Sequence, residues 1–184
     1  MIALPPTPIP LPDGPPGQCD GVALDVCFVP QQENMLCWAA CAAMVLQFFN
    51  FPVSMKTVME FKFGHACPDY LSCNLGCDES DILWIYRHFG VTGDPPKGVL
   101  KQTDLVAELN GHRPVEVGLG DCGTGSGGMG HVVVVFGYCA DSSGLVFLVH
   151  DSAIASSGRF PYSSLKSDMS EGCWIRTWAN LRPA

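Results

Sequence analysis

The sequence predicts an α+β domain in which a central N-terminal helix packs on a C-terminal antiparallel sheet. Three observations carry this. Apolar residues recur at helical spacing in the first half and as short β-branched and aromatic runs in the second. The helical segments come first and the strand-like ones after, rather than alternating, which separates α+β from a parallel α/β sheet. One helical run, through Ala39, Ala40, Ala42, Ala43, Met44, Val45, Leu46 and Phe48, is apolar nearly all round and therefore belongs inside.

The chain of 184 residues is long enough to bury one sizeable core. We expect a Pro-rich lead-in over residues 1–30 and one domain over residues 31–184. Val22 to Val29 alternates loosely and allows a short edge strand, which Pro30 stops. The central helix is expected from about Met35 to Phe49, with Asn34 as its N-cap and Pro52 closing it. Ser54 caps a second helix reaching Phe63. Residues 64–78 read as a cysteine-rich loop. Glu79 to Phe89 is a third helix, with Ile82, Leu83, Ile85, Tyr86 and Phe89 as its buried stripe and Gly90 as its cap. A short helix follows from Thr103, as N-cap, to Asn110, stopped by Gly111. Strands are expected at Pro114–Leu119, His131–Tyr138, Gly144–His150 and Trp174–Trp178.

Composition narrows the function. Apolar residues make up 47% and charged residues 15%, which decides for a compact chain over a disordered one. A net charge of −8 argues against general binding to nucleic acid or to an anionic membrane. The longest apolar run, Val132 to Phe136, has strand length, far short of the roughly 20 residues of a membrane span. Met1 to Pro16 has no Lys or Arg and is rich in proline, so no classical secretory signal is expected there. Ten cysteines are many for a cytosolic enzyme and point to some disulfides and an oxidising stage. Cys67, Cys73 and Cys77 with His65 offer zinc ligands, but their spacing fits no common zinc module. A disulfide pinning that loop is the expectation, and no metal or cofactor is called for.

The chemistry concentrates at Gln31-Gln32-Glu33-Asn34-Met35-Leu36-Cys37-Trp38. Cys37 falls in the first turn of the central helix, where free N–H groups and the positive end of the dipole favour a thiolate. Gln31 can supply a side-chain N–H to a developing oxyanion. An apolar helix also houses structural cysteines, and this stretch by itself leaves both readings open. A nucleophilic thiol needs a base, and the base needs an orienter. Of the five histidines, His131 follows a glycine-rich loop, Gly123 to Gly130, and opens a strand buried on both faces. The next strand ends at Asp151, placed to accept from the far ring nitrogen of His131 and fix its tautomer. Gln32 could replace Gln31 if the loop shifts by one. His150 could replace His131, though it neighbours Asp151 and points to the opposite face. Cys41, one turn beyond Cys37, lies deeper on a similar face.

Taken together, Gln31, Cys37-Trp38, His131 with Gly137-Tyr138, and Asp151 resemble the papain-like cysteine peptidases. The similarity spans about residues 30–180 and is strongest to the compact bacterial members, which include injected effectors and double-glycine leader peptidases. The resemblance implies a papain-like fold and a protein or peptide substrate cleaved through a thioester. It implies Cys37 as nucleophile, His131 as general base then acid, Asp151 as orienter and Gln31 as oxyanion donor. It further implies cleavage after small residues such as Gly-Gly, and a secreted or injected effector with an immunity or inhibitor protein as partner. The third triad member is Asp where papain itself has Asn, and the cysteine loop at 67–77 has no counterpart in papain. An acyltransferase or deamidase on the same residues is the alternative chemistry. A dead peptidase serving as a binding module is the alternative class, which the complete set of four polar residues disfavours.

Overall fold

The computed structural model describes residues 20–122, 129–141, 144–154, 156–167, 169 and 172–184. Most of the Pro-rich lead-in and most of the glycine-rich loop, with its Gly127-Gly128 pair, lie outside the described residues.

The elements run β1 (Asp20–Ala23), α1 (Cys37–Phe48), α2 (Met55–Phe63), a short 3₁₀ turn (Leu71–Cys73), α3 (Glu79–His88), β2 (Val91–Thr92), α4 (Gln102–Asn110), β3 (Val115–Gly120), β4 (Met129–Asp141), β5 (Gly144–Asp151), β6 (Ser156–Pro161), α5 (Tyr162–Ser167), β7 (Cys173–Trp178) and β8 (Arg182–Pro183). Helices α1 to α4 precede the main-sheet strands β3 to β7, with β1 ahead of α1 and α5 between β6 and β7. The main sheet is antiparallel in the order β6-β5-β4-β3-β7, with β1 added to the far half of β4. This is the expected α+β architecture. β2 and β8 form a separate two-stranded pair.

α1 is the centre of the core. Every residue from Cys37 to Leu46 is buried, as the all-round apolar sequence requires. β4 packs beside it, and Val132 to Phe136 are all buried, so this strand is covered on both faces. β4 can also accept β1 on one edge because residue 137 is glycine. A Cβ there would collide with the Val22 carbonyl oxygen. The Gly-Tyr pair after the histidine thus has a structural cause, and Tyr138 completes it by donating from its hydroxyl to Asn110 Oδ1 at 2.8 Å. Of the edge strand expected over residues 22–29 only Val22 and Ala23 are strand, since β1 starts two residues earlier and ends at Ala23. Leu24, Val26 and Phe28 after it join the core, so this part of the lead-in packs with the domain.

Three helix starts test the capping logic. Ser54 caps α2 as expected, its Oγ accepting from Thr57 N at 3.1 Å. Asn34 does not cap α1. Its Oδ1 accepts instead from Asn74 Nδ2 at 2.8 Å, and a turn closed by Leu36 N on Glu33 O delays the helix to Cys37. Thr103 likewise lies inside α4, because the Lys101 carbonyl already accepts from Asp104 N and Leu105 N.

Two disulfides have both halves described. Cys67–Cys73 pins the cysteine-rich loop, with its Cα atoms 5.8 Å apart. Cys122–Cys173 ties the chain just past β3 to the start of β7. Cys139 is also disulfide-bonded. Cys27, Cys37, Cys41 and Cys77 are free thiols.

Candidate active site

Cys37 is the first residue of α1, and the helix entry carries no side-chain cap. The first four N–H groups of a helix have no partner within it. An uncapped helix mouth therefore presents its donors and its positive dipole end at the thiol. A capping Asn34 would have taken one of those donors, so the failed cap leaves the mouth open for chemistry.

His131 comes from the beginning of β4 and Asp151 from the end of β5. The pairing Val134↔His150 sets the register of these two strands. Asp151 then falls across from position 133, on the same face as His131 and one diagonal step away. His131 Nε2 and Asp151 Oδ1 meet at 2.8 Å, both side chains about 5% exposed or less. With Nε2 donating to the carboxylate, Nδ1 is the nitrogen left for the Cys37 thiol, with which His131 also hydrogen-bonds. Burial works to lower the His131 pKa, but the bonds to Asp151 and Cys37 outweigh it and raise the value to about 9. Burial likewise works to raise the Asp151 pKa. The His131 bond, with backbone N–H donors from Ala153 and Ile154, overcomes it and holds the carboxyl below its usual range. An imidazolium held between the Asp151 carboxylate and the Cys37 sulfur is what these two bonds favour.

Gln31 lies across the cleft. Its backbone N–H donates to Ser152 O at 3.3 Å, and its Oε1 accepts from Ser152 Oγ at 2.9 Å. Its Nε2 donates one hydrogen to Glu33 O at 3.0 Å. An amide nitrogen carries two hydrogens, so one remains for a ligand. Gln32 is exposed and turns its amide back to Pro30 O at 3.2 Å. Both glutamines line the cleft, and Gln31 is the one whose amide is held by Ser152. Ser152 was not singled out by the sequence reading; as a small hydroxyl next to Asp151 it carries no motif of its own.

The two competing residues have other duties. His150 points to the opposite face, where Nδ1 meets Ser157 Oγ at 2.7 Å, Nε2 meets Val26 O at 2.8 Å, and the ring stacks on Phe136. Cys41 is fully buried with its thiol toward Val132 O at 3.4 Å, and burial raises its pKa well above the usual thiol value.

The cysteine-rich loop forms one wall of the site. Trp38 Nε1 donates to Leu75 O at 3.0 Å, and Met35 N donates to Asn74 Oδ1 at 2.9 Å. These bonds bring Gly76 and Cys77 beside Cys37 and His131, around a pocket of about 60 Å³. On the Gln31 side a roomier cleft of about 460 Å³ runs past Glu33, Asn34, Gly130, His131 and Ala153. Asn74, Gly76 and Cys77 are further site residues the sequence reading missed, since only the folded loop brings them to the helix mouth.

The model of a family described as papain-like cysteine protease AvrRpt2 matches residues 21–175. The chain belongs to this family. It is a papain-like cysteine protease, a hydrolase acting on peptides. Among curated protein sequences none matches. Solved structures that share the fold include two proteases. One is a double-glycine-motif protease from an AMS/PCAT transporter in complex with the leader peptide, at 16% identity and a TM-score of 0.52, covering 89% of this chain and 95% of that one. The other is the proform of the ragweed pollen allergen Amb a 11, a cysteine protease. It has 16% identity and a TM-score of 0.54, with 90% of this protease and 67% of that chain covered.

Proposed function

We propose that this cysteine protease works through Cys37, His131 and Asp151, with Gln31 and the backbone N–H of Cys37 as oxyanion donors. The Cys37 thiolate attacks the substrate carbonyl carbon, and the carbonyl π electrons move to oxygen. Gln31 and the α1 N–H groups stabilise that oxyanion. His131 gives its proton to the leaving amine as the C–N bond breaks, leaving a thioester on Cys37. Water then attacks with His131 as base, and the acid product departs. Asp151 holds the imidazole tautomer throughout. The observation that carries this reading is the 2.8 Å contact of His131 Nε2 with Asp151, which reserves Nδ1 for the thiol.

The specificity we propose is cleavage after small residues, with Gly-Gly favoured. A pocket of about 60 Å³ beside Cys37 supports it, since glycine has no Cβ to exclude. The disulfides support a secreted or delivered protein that passes an oxidising stage. In that role it acts as an effector on a target cell, with an immunity or inhibitor protein as its partner. A peptide library read by mass spectrometry tests both chemistry and specificity. Hydrolysed peptides ending in glycine are expected. Equal cutting after Ala, Leu and Arg overturns the specificity, and deamidated or amine-coupled products overturn hydrolysis itself.

A further inference from the structure

The cysteine-rich loop holds a second cluster of reactive side chains, away from the catalytic residues. The ligand atoms of His65, Cys67 and Cys73 all lie within 4.8 Å of one another. Cys67 and Cys73 are buried and joined as a disulfide, while His65 is exposed at the rim. Two sulfurs and one imidazole at this separation can converge on a single ion of Zn²⁺ size, with solvent filling the fourth position of a tetrahedron.

Three details go beyond proximity. His65 Nδ1 lies 3.0 Å from Ala66 O, so that nitrogen carries the hydrogen and Nε2 keeps the lone pair a metal needs. The His65 ring also stacks along Phe63, which restrains its orientation. Glu60 Oε1 accepts from Cys67 N at 3.1 Å, fixing the backbone of one sulfur donor and adding negative charge beside the cluster.

We propose that Cys67, Cys73 and His65 form a conditional zinc site that exists only when the Cys67–Cys73 disulfide is reduced. The same two sulfurs serve both states, so bond and metal exclude each other. Reduction takes two electrons from two thiols of an external reductant, which themselves become a disulfide. It leaves Cys67 and Cys73 as thiols, and each releases its proton to solvent on coordinating Zn²⁺. Either state pins the loop that carries Asn74, Leu75, Gly76 and Cys77 to the mouth of α1. The loop is therefore held in oxidising surroundings by the disulfide and in reducing surroundings by the metal.

The test uses the full chain with Cys37→Ser, so that the catalytic thiol cannot contribute a ligand. The protein is reduced with a phosphine, desalted without oxygen, and titrated with Co²⁺ and then Zn²⁺. The expected result is one Co²⁺ per reduced chain, with a thiolate-to-cobalt charge-transfer band that Zn²⁺ abolishes, and no such band in the oxidised chain. Adding Cys67→Ser and Cys73→Ser should remove the band, which separates this site from thiols freed elsewhere. His65→Ala, a change at an exposed position, should keep a thiolate band but weaken Zn²⁺ binding roughly 10-fold or more. No metal uptake on reduction, the same band without Cys67 and Cys73, or an unchanged affinity in His65→Ala each overturns the proposal.

Discussion

Ser152 Oγ donates to Gln31 Oε1 at 2.9 Å, so the residue beside Asp151 holds the amide on the opposite side of the cleft. The turn that ends β5 thereby holds both His131, through Asp151, and Gln31, through Ser152, the residues proposed as base and oxyanion donor. Ser152→Ala leaves Gln31 Oε1 without that donor, so the amide is held only by its bond to Glu33 O. We expect kcat/KM to fall roughly 10-fold, with KM nearly unchanged, against about 10²–10³ for Gln31→Ala. Unaltered kinetics in Ser152→Ala would mean that Gln31 needs no such support.

The pH profile should report His131. Its folded pKa of about 9 lies above the ordinary 6.5, so the protonated ring is stabilised by the fold. That stabilisation is complete below about pH 6.5 and is lost as pH rises through about 9. The alkaline limb of kcat/KM should therefore fall near pH 9. Asp151→Asn keeps an acceptor for His131 Nε2 but removes the carboxylate charge that favours the imidazolium, and should move this limb to lower pH. A limb that stays in place would show that the carboxylate does not hold the imidazolium.

Glu116 on β3 should make stability depend on pH in the opposite way to most carboxylates. It is fully buried, and burial raises its pKa from 4.5 to about 8 despite the hydrogen bond donated by the Tyr86 hydroxyl. The folded chain holds a proton that the unfolded chain releases above about pH 4.5. Stability from this group falls as pH rises from about 4.5 to about 8 and then levels off. Glu116→Gln should flatten that slope in urea unfolding at a series of pH values. An identical slope in the variant would assign the dependence to other groups.

Cys41 and His150 should prove structural. Cys41→Ala should lower stability by about 1 kcal/mol and leave kcat of the folded enzyme intact. His150→Ala removes bonds to Ser157 and Val26 and a stack on Phe136, so it should cost more stability than Cys41→Ala. Loss of turnover in folded Cys41→Ala would overturn this division of labour.

Legibility in the sequence followed local signal strength. α1, α3, β4 and β5 carry long apolar or β-branched runs, and the sequence located them to within a few residues. β6 and α5 passed unread. β6 is Ser-Ser-Gly-Arg-Phe-Pro, a partly exposed edge strand whose pairing with β5 gives it order, and α5 buries only Leu165. The cap at Asn34 misled because its side chain is committed to Asn74, forty residues away. Cys37, His131 and Asp151, which the fold brings together, stand at the start of α1, near the start of β4 and at the end of β5, while Gln31 lies in the loop before α1 and stood out only by its spacing from Cys37. Ser152, Asn74 and Cys77 could not be named, since their part depends on contacts that only the closed fold creates.

Cys37 is the proposed reactive thiol, paired with His131. Brief treatment of the native chain with iodoacetamide at mildly acidic pH, followed by peptide mapping, measures this directly. Cys37 should be labelled first, ahead of Cys27, Cys41 and Cys77, in step with loss of peptide cleavage, and His131→Ala should abolish that preference. Preferential labelling of Cys77 or Cys27, or selective labelling of Cys37 that survives His131→Ala, would contradict the pairing.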